Sequence, residues 1–288
     1  MYLKGDRVKH PKMSDWGIGQ VLENIAPNKV KVFFVNAGEK TLDINYVNLV
    51  KVEGAKASHP LLDNPIAKPK KGTTDKQYIS LPDAKKDFII MFPNGFKDEG
   101  YKQIERDYKY EAHNLLTTIL SEQVITKLLK SKDYEEVCKR ALQVVNKTNL
   151  IFPNEKMDLK DGLELLKNKK WFSETLFNLL YQEGDIEQRF MAFADCLLAI
   201  GAAKWTIATY FLFLRYPDEH MFLKPAVTKK AADLSAFELN YKPELNWLTY
   251  HTLLKFAAYL RTELTKLGLK PRDMIDVQSF MWCIAPKL

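Results

Sequence analysis

The spacing of apolar residues changes along the chain and divides it into three stretches. Between residues 4 and 52, short apolar runs such as "KVKVFFV" and "KTLDI" are separated by turn formers in "IAPNK" and "NAGEK". Short β-branched and aromatic runs between turn signals predict strands, whose alternate side chains face opposite sides of a sheet. About five strands in so short a stretch predict a small SH3-like or Tudor-like barrel. Residues 53–82, "EGAKASHPLLDNPIAKPKKGTTDKQYISLP", carry Pro, Gly and Lys without periodicity. They read as a linker or a surface strap, and "KPKKG" as a basic loop within reach of phosphates. From residue 83 to 288 the apolar positions recur every three to four residues, as packed helices require. The expected fold class is therefore α+β: a small all-β barrel (1–52), a linker (53–82) and a mostly α-helical domain (83–288). No internal repeat is evident, which disfavours a solenoid.

One apolar stretch, "LLAIGAAKWTIATYFLFL", is about long enough to cross a bilayer. Lys204 falls near its middle, Asp195 and Arg215 bracket it, and Gly201 interrupts it. A lysine at mid-membrane costs roughly 2.5–3.5 kcal/mol on insertion scales, and no second span shares that cost. The stretch therefore predicts two buried helices meeting at a turn.

Composition then narrows the chemistry. With 43 Lys+Arg against 36 Asp+Glu, the chain carries +7, which suits a polyanionic partner without requiring one. Three scattered cysteines, Cys138, Cys196 and Cys283, form no CxxC pair, so zinc, iron–sulfur and disulfide frameworks are not expected. The opening "MYLKGDRVKHPKM" has no apolar core of a secretion signal, and a cytoplasmic location is the expectation. There is no GxxxxGK[ST], GxGxxG, HExxH or GxSxG, and the five histidines show no i, i+4 pair; no cofactor or metal is expected. Asp273 and Asp276, three apart in "KPRDMIDVQSFMW", offer either a metal pair or, more ordinarily, charge at a helix N-terminus.

Four segments of the helical region resemble, in order, the helix-hairpin-helix DNA glycosylases. "TTILSEQV" (Thr117 to Val124) is similar to that family's I-L-S-Q-Q-V helix start beside the DNA groove. "LLAIGAAKWTIATYFLFLR" (Leu197 to Arg215) is similar to its L-P-G-[IV]-G hairpin and following helix, and "KWT" to the R-W-T of the 3-methyladenine branch. "HMFLKPAVTKKAA" stands where the family has its active-site loop, and "NWLTYHTLL" resembles a W-x-S-Y helix. The N-terminal "GDRVKHPKMSDWGIGQVLENIAPNKVKVFFVNAGEKTL" looks like a small bacterial domain of unassigned function, and like barrels appended to repair helicases. There Trp16, Phe33 and Phe34 offer a binding face, with core packing as the competing role.

The resemblance implies a DNA N-glycosylase that flips a modified or damaged base from double-stranded DNA and hydrolyses its bond to the sugar. It extends to anti-phage glycosylases acting on bulky modified pyrimidines. Gln123, Gly201, Ala202 and Lys204 would then contact DNA, and Trp205, Trp247 and Tyr250 would wall the base pocket, hydrophobic core being the alternative. The family places a catalytic aspartate where this chain has Lys224, and its first hairpin glycine where this chain has Ala199. The carboxylates nearest in sequence are Glu122, Asp218 and Glu219, each also a common solvated or capping residue. Lys204 and Lys224 are the candidates for a Schiff-base lysine; Lys204 and Trp205 compete for the family's lyase position, and the "KWT" match favours Trp205 and a monofunctional enzyme. The second reading is a non-catalytic DNA-binding adaptor that recruits a protein partner through the barrel.

Overall fold

The computed structural model describes residues 2–63, 79–235 and 237–285. Five strands, β1 (Arg7–Lys9), β2 (Ile18–Ala26), β3 (Lys29–Phe34), β4 (Gly38–Asp43) and β5 (Val50–Lys51), form one antiparallel sheet in the order β4-β3-β2-β1-β5. Alternation decides its two faces. Val8, Val21, Val30, Val32, Phe34 and Leu49 build a small core within the sheet. Ile18, Phe33 and Val35 instead belong to the large core of the helical region. Phe33 is 5% exposed and is therefore a packing residue at the sheet–helix junction, not part of an open binding face. Trp16 is half-buried and leans on Phe34 and His10, with ring centroids 5.2 and 4.9 Å away.

The expected linker opens with a short 3-10 turn (Gly54–Ala57) and α1 (Pro60–Asp63). Arg7 ties this segment to the sheet by donating to the carbonyls of Ala57 and Leu62 and to the Asp63 carboxylate. The "KPKKG" loop lies outside the described residues.

The helices are α2 (Leu81–Met91), α3 (Glu99–Tyr101), α4 (Asp107–Ile119), α5 (Glu122–Lys130), α6 (Tyr134–Asn146), α7 (Pro153–Gly162), α8 (Leu166–Tyr181), α9 (Ile186–Ala199), α10 (Trp205–Arg215), α11 (Pro225–Leu234), α12 (Trp247–Lys266) and α13 (Met274–Ile284). Their starts follow capping chemistry: side chains of Ser80, Asp133, Asp185, Asn246 and Asp273 accept the first free N–H groups of α2, α6, α9, α12 and α13. Pro153 and Pro225, which lack an N–H to satisfy, open α7 and α11. A π turn (Lys102–Arg106) joins α3 to α4, and both Glu105 and Arg106 within it are buried.

α10 is the central rod of this region, with every residue from Trp205 to Leu214 buried. Its apolar run is long because it has no solvent face, and among the described residues no helix is long and apolar enough to cross a membrane. The chain bends between α9 and α10 as the sequence predicts. Gly201 adopts φ +77°, a left-handed conformation that a residue with a Cβ rarely takes. α7 abuts this bend so closely that a Cβ on Gly162 would sit 2.3 Å from the Ile200 carbonyl oxygen.

Candidate functional site

The α9–α10 turn is open to solvent, and nothing lies within 4 Å of where a Gly201 side chain would be. Its surroundings are nevertheless acidic: Asp158, Asp161 and Glu164 line the same shallow depression as Ala199, Ile200 and Gly201. Lys204 points its ammonium at Asp158, 3.5 Å away. Ala202 is fully buried, and its N–H donates to the Leu197 carbonyl. This turn is thus a poor grip for a phosphate: one expected donor is already used, the cation is paired, and carboxylates face the approach. Gln123 and Glu122 are exposed at the start of α5, beside Thr126, Lys127 and Lys130.

The expected base pocket is filled. Trp205 is 3% exposed and donates its indole N–H to the Lys242 carbonyl at 2.9 Å. Tyr250 is completely buried and stacks on Phe190 at 4.6 Å and 11°. Trp247 packs against the same Phe190 and stacks on His251. A flipped base needs two ring faces with a gap between them, and these faces already cover one another. The core role of these three residues prevails.

A different pair of rings flanks a cation. The Lys224 ammonium lies 4.3 Å from the Phe152 ring centroid and 5.1 Å from that of Trp282. Both rings are partly open to solvent, Phe152 at 50% and Trp282 at 43% exposure. Three separate elements deliver them. Phe152 precedes Pro153 at the start of α7, Lys224 precedes Pro225 at the start of α11, and Trp282 sits in the last turn of α13. The loop into α11 is anchored by buried Met221, Phe222 and Leu223 and by the Leu223 N–H, which donates to Thr209 of α10. That anchor fixes where Lys224 emerges.

Burial lowers the pKa of Lys224 below the ordinary lysine value, and the nearby Glu155 carboxylate opposes that shift. Glu155 accepts hydrogen bonds on one oxygen, Oε2, from the Phe152 N–H at 3.1 Å and from the Thr206 hydroxyl at 2.9 Å. The threonine of "KWT" thus holds a carboxylate of α7. Asp218 is exposed and pairs with Arg261, and Glu122 lies on the α5 surface, so Glu155 is the carboxylate that the fold associates with Lys224. Lys156, next to it, donates to the Thr148 carbonyl at 2.7 Å, and burial lowers its pKa too.

Asp273 and Asp276 are engaged with cations from the protein. Arg106 makes two bonds to Asp273, at 2.8 and 2.6 Å, and one to Asp276, while Arg272 and the Tyr101 hydroxyl complete Asp276. Among the described residues no group of three or more side chains is arranged to hold a metal ion. Sequence reading singled out Lys224 but missed Phe152, Glu155 and Trp282. "FPNE" carried a signal, since Pro at the first helical position and Glu at the third mark a helix start. Nothing in the sequence announced that Trp282 would meet it.

A family model described as a protein of unknown function (DUF3553) matches residues 3–52, the stretch that forms the sheet. No curated protein and no solved structure matches the chain.

Proposed function

We propose that the protein is a DNA N-glycosylase acting on a modified or damaged base, with its site at the Phe152–Lys224–Trp282 cluster. In this reading the helical region is of the helix-hairpin-helix kind and the sheet is an SH3-like or Tudor-like accessory. The observation that carries the proposal is the amine held between two partly open aromatic rings, on the loop that follows the bent α9–α10 pair. Aromatic faces accept any flipped base by stacking, and by alanine substitution each contact is worth about 1–3 kcal/mol. Glu155 supplies the carboxylate that Lys224 displaces from the start of α11. Cleavage of the base–sugar bond builds positive charge on the sugar, and a nearby carboxylate lowers the energy of that cation. A cationic side chain beside the base favours a base with added polar or anionic substituents, which agrees with a bulky modified pyrimidine of phage DNA.

The test is incubation of the full chain with unmodified, alkylated and phage-modified duplexes, followed by alkali treatment. Strand breaks on one modified duplex, lost in Glu155→Gln, are expected. Binding without breaks on any duplex would sink this reading. A second reading, a DNA-binding adaptor without catalysis, is favoured by one observation: the residue at the start of α11 is Lys224 in place of a carboxylate.

A further inference from the structure

Two helices that are neighbours only in space bring five lysines and a tryptophan to adjoining surfaces. The Tyr181 hydroxyl, at the end of α8, donates to the Leu120 carbonyl just before α5. Lys169, in the first turn of α8, pairs with Glu135 in α6, which follows α5 directly. α5 and α8 therefore lie side by side and antiparallel, and the tail of α5 adjoins the head of α8. Lys127 and Lys130 are exposed on that tail, Lys132 follows it, and Lys167 and Lys170 are exposed on that head. Among the described residues the first four have no side-chain partner, and Lys170 reaches Glu174 only at 4.0 Å. The acids around them are otherwise engaged: Asp133 caps α6, Glu135 is held by Lys169 and Glu136 by Arg140. Lys132 holds a left-handed backbone, φ +58°, just past the helix end, where glycine is the usual residue. Strain of this kind collects at functional positions. Trp171 stands one turn beyond Lys167 on the same side of α8 and is 41% exposed. Among the described residues no ring, cation or hydrogen bond engages its indole, whereas each of the other four tryptophans is so engaged.

We infer that this face binds a single strand of nucleic acid, with the lysines on its phosphates and Trp171 stacked on an unpaired base. A strand carries a negative charge and a flat ring at every nucleotide, and cations set beside an exposed aromatic match both. A duplex presents the phosphates but keeps its bases stacked inside. An anionic bilayer presents charge without a ring for the indole. The face shares no residue with the Phe152–Lys224–Trp282 cluster, so the inference does not rest on the glycosylase reading.

The experiment titrates fluorescein-labelled oligothymidylate and oligouridylate with the full chain at several salt concentrations and follows fluorescence anisotropy. Binding is expected, with log affinity falling linearly against log salt. Trp171→Ala should weaken it about tenfold and leave the salt slope unchanged, because the lost contact carries no charge. Trp171→Leu, which keeps apolar bulk, replaces it if the alanine does not fold. Lys130→Gln combined with Lys170→Gln should reduce the slope by about 1.4, at about 0.7 per phosphate contact. Lys224→Met and Glu155→Gln should bind both strands as the parent does; loss of base release in Glu155→Gln with strand binding intact supports two separate sites. Binding of one labelled strand and not the other supports the inference and says which nucleic acid the face accepts. No binding of either strand at low salt overturns it. So does binding that the Trp171 and lysine variants leave unchanged, or that Lys224→Met removes. A duplex bound as tightly as the single strand, with no effect of Trp171→Ala, overturns the stacked base. Binding to phosphatidylserine vesicles but to neither strand overturns the inference in favour of a membrane.

Discussion

At the first turn of α13 the guanidinium of Arg106 is locked against Asp273 and Asp276; at its last turn Trp282 offers a ring to the ammonium of Lys224. One helix thus carries two cations at its ends, held in opposite ways. Arg106 is 8% exposed, and each of its partners is itself hydrogen-bonded, Asp276 by Arg272 and the Tyr101 hydroxyl. Such charges are tolerable in a core only when fully paired. Lys224 has a half-open environment, no counter-charge in contact and two aromatic faces. The first arrangement spends its charge on holding α3, the π turn and α13 together. The second holds its ammonium over ring faces, a contact worth about 0.5–1 kcal/mol at an exposed site, and leaves it without a carboxylate partner.

This contrast is open to direct attack. The largest effect is expected for Arg106→Met, which leaves the buried Asp273 without its cation and Asp276 with Arg272 as its remaining one. Equilibrium denaturation should show a loss of about 3–5 kcal/mol, the usual result of removing one partner of a buried pair. A loss under about 1 kcal/mol would mean that the network is better solvated than it looks.

Acid should act next, through a charge that the fold excludes. Burial, with Arg189 adding to it, lowers the pKa of His220 to about 4, and burial also lowers that of His59. At His59, Lys266 and Arg7 assist the shift while Glu263 and Asp63 oppose it. Both groups are favoured as neutral in the folded state. The stability they contribute is therefore complete above the unfolded histidine value of about 6.5 and falls as pH drops toward 4. Melting temperatures measured between pH 7 and 4.5 should decline, and His220→Gln should flatten the slope; an unchanged slope in that variant would remove His220 from the account.

A smaller effect sharpens the other end of α13. In Lys224→Met the melting behaviour should stay within about 0.5 kcal/mol of the parent, as at sites away from cavities and paired charges, while base release from the modified duplex falls. A loss of several kcal/mol would place Lys224 with Arg106 as a structural cation. Finest of all is the titration of the Lys224 amine itself, followed by NMR. Its midpoint should lie below the ordinary lysine value of about 10.4, and Glu155→Gln should move it lower still, because that carboxylate opposes the shift. A midpoint that rises in Glu155→Gln would separate the two residues.

Much of the architecture was legible before any coordinates. The strand runs "KVKVFFV" and "KTLDI" became β3 and β4, and the break in "LLAIGAAKWTIATYFLFL" became the turn at Gly201. What could not be read was which aromatics would be left open. Trp205, Trp247, Phe152 and Trp282 are equally apolar in a string of letters. Trp205 and Tyr250 were closed off by Phe190, which stacks on both from α9, and Phe33 by the docking of the sheet onto the helices. Glu122 and Asp218 were nearest to Lys224 in sequence or motif, yet the carboxylate that acts on it comes from about 70 residues upstream.

The succession of strands and helices, the bend at Gly201 and the lysine where Pro225 opens α11 follow from periodicity, capping and backbone freedom over a few residues. Long-range packing set the rest: arginines neutralise the Asp273–Asp276 pair, and Phe152 and Trp282 meet over one amine. Those outcomes depend on three helix ends converging from distant parts of the chain, and no local rule specifies how side chains from separate elements share the remaining space.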